Sequence, residues 1–556
     1  MKKAARWLGA VAAGGVILAG VVWINRVDVA LWAISVLTQL RMSVGPFEEV
    51  VWATGSDPLG RPPEERPPNI ILILADDLGW NDVTLFGGGV AGGSVPTPNI
   101  DSIGREGVIF ENGYAANGTC APSRAAILSG RYGTRFGFEF TPTPPGMPQL
   151  VGMIAGQQPG RVRQPIYNED GGGDGLGYES RGMPSSEITI AELLREQGYH
   201  TAHIGKWHVG RADGMAPNDQ GFDESLLMSS GLYLPDGDPR GVSAKLDFDP
   251  IDQFLWGAMK FAASFNGGAN FEPGGYLTDY YTDEAIEVIR ANRDRPFFLY
   301  LAHWAPHTPL QATREDYDAL SHIELHRERV YAAMIRALDR GVGRVLEALQ
   351  DNGIDDNTIV MFTSDNGGAH YIGLPEVNRP YRGWKISFFE GGIHVPFLMK
   401  WPGVIPPGTV VEEPAHHFDL FATAASAAGA ELPQDRTIDG VDLLPWALGE
   451  ADGTTHEALF WRSGSSRSAL VGGWKLTESD PPGRVWLFDL ANDPTEQDDL
   501  SRSRPDKVAE LRAAMASHDA EQAPPGWPST ADMPISIDHD ITVPESEDDE
   551  FIYWSN

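Results

Sequence analysis

The chain has a single cysteine, Cys120, among its 556 residues, so it cannot form an intrachain disulfide. Positive charge is also scarce: 42 lysine and arginine residues stand against 77 aspartate and glutamate residues, which gives a formal net charge of −35 at pH 7. This imbalance argues against nucleic acid as a partner, because a phosphate backbone needs a basic face. An anionic substrate would have to be held by a local cluster of cations rather than by the overall field.

The first 45 residues have the composition of a membrane anchor. Lys2, Lys3 and Arg6 precede an uncharged apolar run at residues 7–24, which is long for a signal peptide and lacks a small-residue cleavage site. At about 1.5 Å per residue, this run comes close to spanning a bilayer core. We therefore expect an uncleaved anchor in residues 1–45 and an extracytoplasmic (periplasmic or cell-surface) protein, whereas cleavage would give a secreted one.

The rest of the chain divides into a linker (46–67), two domains and a tail. Short apolar runs alternate with amphipathic segments in residues 68–432, which predicts an α/β domain with a mostly parallel central sheet flanked by helices. Residues 433–520 predict a smaller domain with an antiparallel sheet and one helix at 504–518. The Pro-rich and acidic residues 521–556 are expected to be extended or mobile. Within the large domain we predict strands at 69–77, 201–204, 297–302, 358–363 and 395–399, and helices at 186–197, capped by its first serine, and 331–350.

Charged or coordinating side chains follow four of the predicted strands. In parallel sheets ligands bind outside the carboxyl ends of the strands, so these side chains are expected to meet at one edge. One such side chain alone is weak evidence for a functional site, because aspartates often cap turns and histidines are often structural. Together they predict a site built from Asp76, Asp77, Lys206, His208, His303, His307, Asp365 and Asn366.

Four of these residues offer only oxygen ligands: Asp76, Asp77, Asp365 and Asn366. Such a set suits a hard cation such as Ca²⁺ or Mg²⁺. A thiolate zinc site is excluded, since the chain has no second cysteine. The cation would neutralise the acidic cluster and polarise an anionic substrate.

Cys120 lies in the stretch NGTCAPSRAAILSGRYG at residues 117–133. A lone cysteine is most often a small buried residue, so its neighbours must decide its role. The proline two positions later suits the first turn of a helix, which would place Cys120 at an anion-favouring helix start. Arg124 can reach back to that end, and together with Lys206 and Lys385 it would form a clamp for a tetrahedral oxyanion.

The sequence CAPSR, followed by SGR, resembles the sulfatase signature C-x-P-S-R-x-x-x-x-x-G. The segments PNIILILADDLGW, GYHTAHIGKWHVG, APHTPLQA, TSDNGG and GWKISFFEGG follow the order that this family uses, and LFDLANDPTEQDDL resembles the motif of its C-terminal domain. The resemblance covers about residues 68–518. One departure is His394, in EGGIHVP, where many members have arginine; it bears on local packing or anion contacts.

This resemblance implies a formylglycine-dependent sulfatase of the alkaline phosphatase superfamily, which cleaves sulfate monoesters. A formylglycine-generating enzyme would convert Cys120 to 3-oxoalanine (Cα-formylglycine). One hydroxyl of the aldehyde hydrate would attack sulfur, and loss of the proton from the other would expel sulfate. One Ca²⁺, with Mg²⁺ as an alternative, would be bound by Asp76, Asp77, Asp365 and Asn366, with Cys120 near the metal.

The resemblance also implies a role for each of the remaining site residues. Arg124 would stabilise the formylglycine hydrate, and Lys206 and Lys385 would hold the sulfate oxygens. His208 would assist deprotonation of the hydrate, and His307, preferred over His303, would protonate or hydrogen-bond the leaving alcohol. The expected substrate is a small-molecule or carbohydrate sulfate ester, and a sulfated sugar is the first expectation.

Three other interpretations stay open. A phosphonate monoester or phosphodiester hydrolase of the same superfamily would share the signature and the metal. A thiol hydrolase would use Cys120 directly, because a helix start and nearby cations lower a thiol pKa. A non-catalytic binding protein would keep the clamp without the modification. Two Gly- and Pro-rich segments, 141–184 and 231–276, are equally compatible with loops that shape a ligand site and with disordered surface insertions.

Overall fold

The computed structural model describes residues 25–144, 146–157, 160, 162–168 and 176–556. The apolar run at 7–24 lies outside the described residues, and among the helices that are described none has both the length and the apolar character needed to span a bilayer. The strands are β1 (Asn69–Asp76), β2 (Val108–Phe110), β3 (Gly113–Tyr114), β4 (Ile166–Tyr167), β5 (His200–Gly205), β6 (Glu224–Gly231), β7 (Gly241–Ala244), β8 (Phe261–Phe265), β9 (Asn270–Phe271), β10 (Phe297–Pro306), β11 (Leu310–Thr313), β12 (Thr358–Ser364), β13 (Phe397–Lys400), β14 (Thr409–Val411), β15 (Ala415–His416), β16 (Ala458–Ser463), β17 (Ser466–Val471), β18 (Trp474–Ser479), β19 (Arg484–Asp489), β20 (Ala531–Ser536) and β21 (Phe551–Ser555).

Helices of six or more residues flank these strands, and three single turns of helix (Val90–Gly93, Glu390–Ile393 and Leu444–Ala447) lie between them. The longer helices are α1 (Arg26–Arg41), α2 (Pro98–Arg105), α3 (Cys120–Ser129), α4 (Met147–Ala155), α5 (Ile190–Glu196), α6 (Pro250–Ala258), α7 (Leu277–Asn292), α8 (Arg314–Ala319), α9 (His326–Asp351), α10 (Asp419–Ala427) and α11 (Pro505–Asp519).

A ten-stranded sheet forms the centre of the large domain, in the order β14-β2-β13-β12-β1-β10-β5-β6-β8-β9. Its five middle strands, β12, β1, β10, β5 and β6, run parallel. Strand β1 is buried throughout, and its side chains alternate between two apolar cores: Ile71 and Ile73 face one, Ile70 and Leu72 the other. Burial on both faces explains the unbroken apolar run in the sequence and confirms the predicted α/β class.

Two local predictions were wrong. The apolar run at 395–399 was expected to form a parallel strand, but β13 pairs antiparallel with β12. An apolar run reports burial on both faces and not direction. The helix predicted from residue 186 begins at Ile190, because Thr189 accepts a hydrogen bond from the Glu192 amide and completes a capping box.

The C-terminal domain is the antiparallel sheet β16-β17-β18-β19 with α11 packed against it, as predicted. Leu511 and Met515 of α11 bury against Ala469, Leu476 and Leu487 of the sheet. The apolar side chains of these neighbouring strands form one face of the sheet, and a single helix covers that face.

The chain after residue 521 differs from the extended or mobile tail that its composition suggested. Strands β20 and β21 form an antiparallel pair, and β4 joins β20 as the third strand. Ile552 and Trp554 are buried, and Trp554 packs edge-on against Phe388 at 4.9 Å between ring centroids. Two of the acidic side chains are neutralised locally, since Arg382 pairs with both Asp538 and Glu550. These pairings offset the charge that made the segment look unstructured.

Candidate active site

The carboxyl ends of β1 and β12 lie side by side and carry the predicted acidic residues. The Leu78 amide donates to Ser364 Oγ at 3.0 Å, and the Asp77 amide donates to Asp365 Oδ1 at 3.3 Å. Asp77 adopts a left-handed backbone conformation (φ 63°), which turns the chain sharply after the strand. Asn366 Nδ2 donates to Asp77 Oδ1 at 2.8 Å, so the two pairs of residues form one cluster.

Helix α3 brings Cys120 and Arg124 to this cluster. Cys120 is the first residue of the helix and is buried, as its signature position suggested. Arg124, one turn later, has no exposed side-chain surface. Its Nη2 donates to Asp76 Oδ2 at 2.9 Å, and Nε and Nη2 donate to Asp365 Oδ2 at 2.9 and 2.7 Å. Nη1 donates to the carbonyl of Lys206 at 2.9 Å, so the guanidinium joins three elements.

Two buried lysines complete the charge balance. Lys206 follows β5 directly and places its Nζ 2.7 Å from Asp76 Oδ2. Lys385 places its Nζ 2.7 Å from Asp77 Oδ1, and its own amide donates to the Gly368 carbonyl at 3.0 Å. Both side chains line the same pocket as Cys120. The site therefore pairs each lysine with a carboxylate of the predicted metal set.

The geometry around His307 assigns its ring nitrogens. Nδ1 lies 2.6 Å from the Thr308 carbonyl, an acceptor only, so Nδ1 carries the proton. Nε2 then accepts from Lys385 Nζ at 3.2 Å. Burial and the Lys385 charge lower the pKa of His307 well below its ordinary value, which favours the neutral ring. Trp304 stacks on this ring at 3.9 Å and fixes its plane.

His208 lines the same pocket, in a left-handed conformation (φ 65°), and its Nδ1 has no hydrogen-bond partner within the described chain. Burial and then Lys206 lower the pKa of His208 well below its ordinary value, which favours the neutral ring. His303 is buried in β10 and does not line the described pocket, which agrees with the preference for His307.

The residue at the one departure from the family pattern has a structural role. His394 Nδ1 lies 2.7 Å from Glu390 Oε2, and its Nε2 lies 2.7 Å from the Glu111 carbonyl. Tyr381 stacks on the ring at 4.2 Å. The substitution thus changes packing beside the site.

The carboxylate and amide oxygens at the strand ends suit a hard cation. Among the described residues, ligand atoms of Asp76, Asp77, Cys120 and His307 all lie within 4.8 Å of one another, so this cluster includes His307 in place of the predicted Asp365. Oδ1 of Asp76 and Oδ1 of Asn366 are buried without a hydrogen-bond partner in the described part of the chain. Unpaired buried oxygens are costly unless something accepts their lone pairs, and a cation does so. Burial and the neighbouring Asp365 raise the pKa of Asp76, and a bound cation would favour its charged form.

The environment of Cys120 opposes a thiolate. Burial raises the pKa of the thiol to about 12, although Lys206 and Lys385 act in the opposite direction. At neutral pH an unmodified Cys120 would therefore stay protonated and be a weak nucleophile. The expectation that the helix start and nearby cations would activate the thiol gains no support here.

The sequence did not reveal several residues that shape the site. Tyr371 donates its hydroxyl to Asp77 Oδ2 at 3.0 Å, but its surrounding sequence carries no recognisable motif. The pocket above Cys120 has a volume of about 390 Å³, and part of its wall comes from Met533, Trp554 and Asn556 of the C-terminal segment. The segment 231–276 folds into β7, α6, β8 and β9, and of these elements α6 lines the pocket.

A parallel-sheet α/β domain that gathers buried carboxylates, two lysines and a cysteine at the strand ends is typical of a hydrolase of anionic esters. The family model described as Sulfatase matches residues 68–430. The chain belongs to the sulfatase family and is a sulfuric ester hydrolase.

Relatives span most of the chain. N-acetylgalactosamine-6-sulfatase of Canis lupus familiaris is 34% identical over 445 residues, covering 77% of this chain and 76% of that protein. Steryl-sulfatase of Rattus norvegicus is 32% identical over 558 residues, covering 82% and 90%. The crystal structure of Ps i-CgsB in complex with k-i-k-neocarrahexaose superposes with a TM-score of 0.68 at 31% identity, covering 83% of this chain and 95% of that one.

Proposed function

We propose that this sulfatase works through Cα-formylglycine made from Cys120, with one Ca²⁺ held by Asp76, Asp77, Asp365 and Asn366 beside it. The observation that carries this proposal is the buried Arg124, which joins the helix of Cys120 to Asp76 and Asp365. It fixes the residue to be modified against the hard-oxygen cluster. The hydrated aldehyde supplies a hydroxyl nucleophile and an exit for sulfate, which a serine would lack. Mg²⁺ is the alternative ion for the same donors.

The chain's own cations would bind and orient the sulfate group. Lys206 and Lys385 lie on two sides of the pocket floor and now pair with Asp76 and Asp77. A cation on those carboxylates would release the two ammonium groups toward a sulfate oxygen. Their burial strengthens this attraction, because water does not screen it.

The two histidines would transfer protons at two different groups: His208 at the nucleophile and His307 at the leaving alcohol. His208 is neutral and its Nδ1 is unpaired within the described residues, so it can accept a proton from the nucleophile. His307 Nε2 receives a hydrogen bond from Lys385, which gives a path for a proton to the leaving alcohol. The bound sulfate charge would favour protonation of His307.

The mass of the tryptic peptide covering residues 106–124 tests the modification. The protein should come from its native host or be coexpressed with a formylglycine-generating enzyme. A peptide lighter than the cysteine form by about one water's mass supports the proposal. A fully alkylatable thiol in active protein would contradict it. Cys120→Ala should abolish turnover, and full activity in that variant would exclude both the formylglycine and the thiol mechanisms.

The alcohol part of the substrate has two candidates. The expectation of a sulfated carbohydrate is supported by the names of N-acetylgalactosamine-6-sulfatase and of the neocarrahexaose complex. The name steryl-sulfatase supports an apolar alcohol instead. For the acid part of the ester, the alternative to sulfate is a phosphonate. Turnover of an aryl phosphonate that exceeds aryl sulfate turnover by orders of magnitude would overturn the preference for sulfate.

We also propose that the chain works outside the cytoplasm, anchored through its N-terminal segment. The basic residues before the apolar run at 7–24 support this orientation. Membrane fractionation of the native protein tests it, and a mature N-terminus well past residue 24 would contradict it.

A further inference from the structure

The wall of the active-site pocket is dominated by apolar side chains from distant parts of the chain. Methionine is a flexible, polarizable residue that suits irregular hydrocarbon surfaces. Trp304 and Trp554 also line the pocket, each almost fully buried. The wall methionines come from four separate segments, and they are Met147, Met228, Met259 and Met533.

Helix α6 connects this wall to the N-terminal helix. Phe254 and Leu255 line the pocket and are buried. The same two side chains belong to one apolar cluster with Val27 of α1 and Ile154 of α4. Helix α1 also leaves Trp32 two-thirds exposed, which gives an apolar surface on the outside of the fold. Its chain position, directly after the apolar run at 7–24, places this surface beside the expected anchor.

Several polar groups of the wall are already engaged. Ser229 donates to Ser264 Oγ at 3.0 Å, and Ser230 Oγ accepts the Lys260 amide at 2.7 Å. Glu179 and Arg211, which lie 3.9 Å apart, are a third to a half exposed and form part of the rim. A sugar ring placed against the methionines and Phe254 would lose hydrogen bonds to water without replacing them. A hydrocarbon body would lose none.

We propose that the preferred substrate is the sulfate monoester of an apolar alcohol of steroid-like size. Its hydrocarbon body would lie against α6, Met533 and Trp554, while its sulfate group reaches Lys206 and Lys385. The pocket volume of about 390 Å³ lies within the range of sites for single small ligands. Hydrolysis consumes one water and yields the free alcohol and sulfate. This inference rests on the proposed function.

The first test compares three sulfate esters on protein shown by mass to carry formylglycine. The probes are a steroid 3-sulfate, N-acetylgalactosamine 6-sulfate and 4-nitrophenyl sulfate, which reports the basal chemistry. We expect kcat/KM for the steroid ester to exceed that for the sugar ester by about 100-fold or more. An equal or higher value for the sugar ester would overturn the inference and leave the sulfatase function intact. No turnover of any probe would refute the proposed function, and this inference with it.

Matched substitutions test whether the wall causes the preference. Met259→Gln and Met533→Gln keep the side-chain length but add an amide, and each should lower the steroid-to-sugar ratio of kcat/KM by about tenfold. Met153→Gln is the control, because Met153 lies on the exposed side of α4, and its ratio should stay at the wild-type value. Equilibrium dialysis with Cys120→Ala gives a readout without turnover, and the steroid ester should bind more tightly than the sugar ester. An unchanged ratio in both wall variants would overturn the inference.

Discussion

Replacing Arg124 by methionine should destabilise the protein more than almost any other single change at the site. The guanidinium has no exposed surface and donates four hydrogen bonds of 2.7–2.9 Å. Methionine fills much of the volume but leaves Asp76 and Asp365 buried without their shared cation. Removing one partner of a buried ion pair costs about 3–5 kcal/mol, because the remaining charge cannot return to water.

Lysine at the same position separates charge from geometry. An ammonium group keeps the positive charge but cannot reproduce the planar fork that reaches Asp76, Asp365 and the Lys206 carbonyl together. With about half of the bonds lost, we expect Arg124→Lys to cost about 1.5–3 kcal/mol. The expected order of stability is wild type, then lysine, then methionine.

Urea unfolding followed by tryptophan fluorescence measures this order, once with a chelator and once with excess Ca²⁺. Ca²⁺ should recover part of the loss in Arg124→Met, since the ion would neutralise the same carboxylates. Arg290→Met is the control, because Arg290 pairs with Glu287 on the surface at 2.6 Å, and such pairs are worth less than about 1 kcal/mol. A free energy of unfolding for Arg124→Met within about 1 kcal/mol of wild type would refute the reasoning.

Three further predictions follow from the site and the core. Ca²⁺ at about 100 times its dissociation constant should stabilise the fold by about 2.7 kcal/mol. Asp77→Asn should shrink that gain, and a melting temperature that ignores Ca²⁺ would contradict the metal assignment. His307→Gln should lower kcat for alkyl sulfates about 100-fold but for 4-nitrophenyl sulfate far less, since only a poor leaving group needs a proton; equal losses would contradict that role. Burial lowers the pKa of His203 to about 3, so its contribution to stability is complete above the unfolded value of 6.5 and is lost as the pH falls toward 3. His203→Gln should therefore flatten the fall in unfolding free energy between pH 6 and pH 4, by up to about 1.4 kcal/mol per pH unit, and an unchanged slope in urea titrations would exclude this group as the cause.

Most of the proposed site residues could be placed together from the sequence, because they lie at the end of a strand or the start of a helix that local sequence specifies. Asp76 ends one buried strand and Asp365 follows another, and parallel strands end at a shared edge. Cys120 and Arg124 lie one turn apart on a helix, so their spacing alone brings both to that edge. Sequence reasoning reached these contacts without needing the full topology.

Features that depend on distant pairing could not be read in this way. The antiparallel direction of β13 is set by its register with β12 and leaves no mark on its own residues. Tyr371 contacts Asp77 across 294 positions of sequence, and its neighbours give no sign of it. The C-terminal strands were missed because composition averages over a segment, whereas β21 is a five-residue alternation inside an acidic context.

The proposed catalytic residues are set by local sequence, whereas the pocket walls that contact the substrate depend on distant pairing. The C-terminal segment supplies part of the pocket wall and also contacts the loop that carries Lys385, because Asp538 and Glu550 pair with Arg382, three positions before that lysine. These two acidic residues thus have a local function, because they neutralise Arg382 beside the proposed site. Residues 521–556 can therefore change the walls of the pocket through Met533 and Trp554 while the ends of β1 and β12 stay as they are. Substrate specificity can therefore change through the C-terminal segment without altering the proposed catalytic residues.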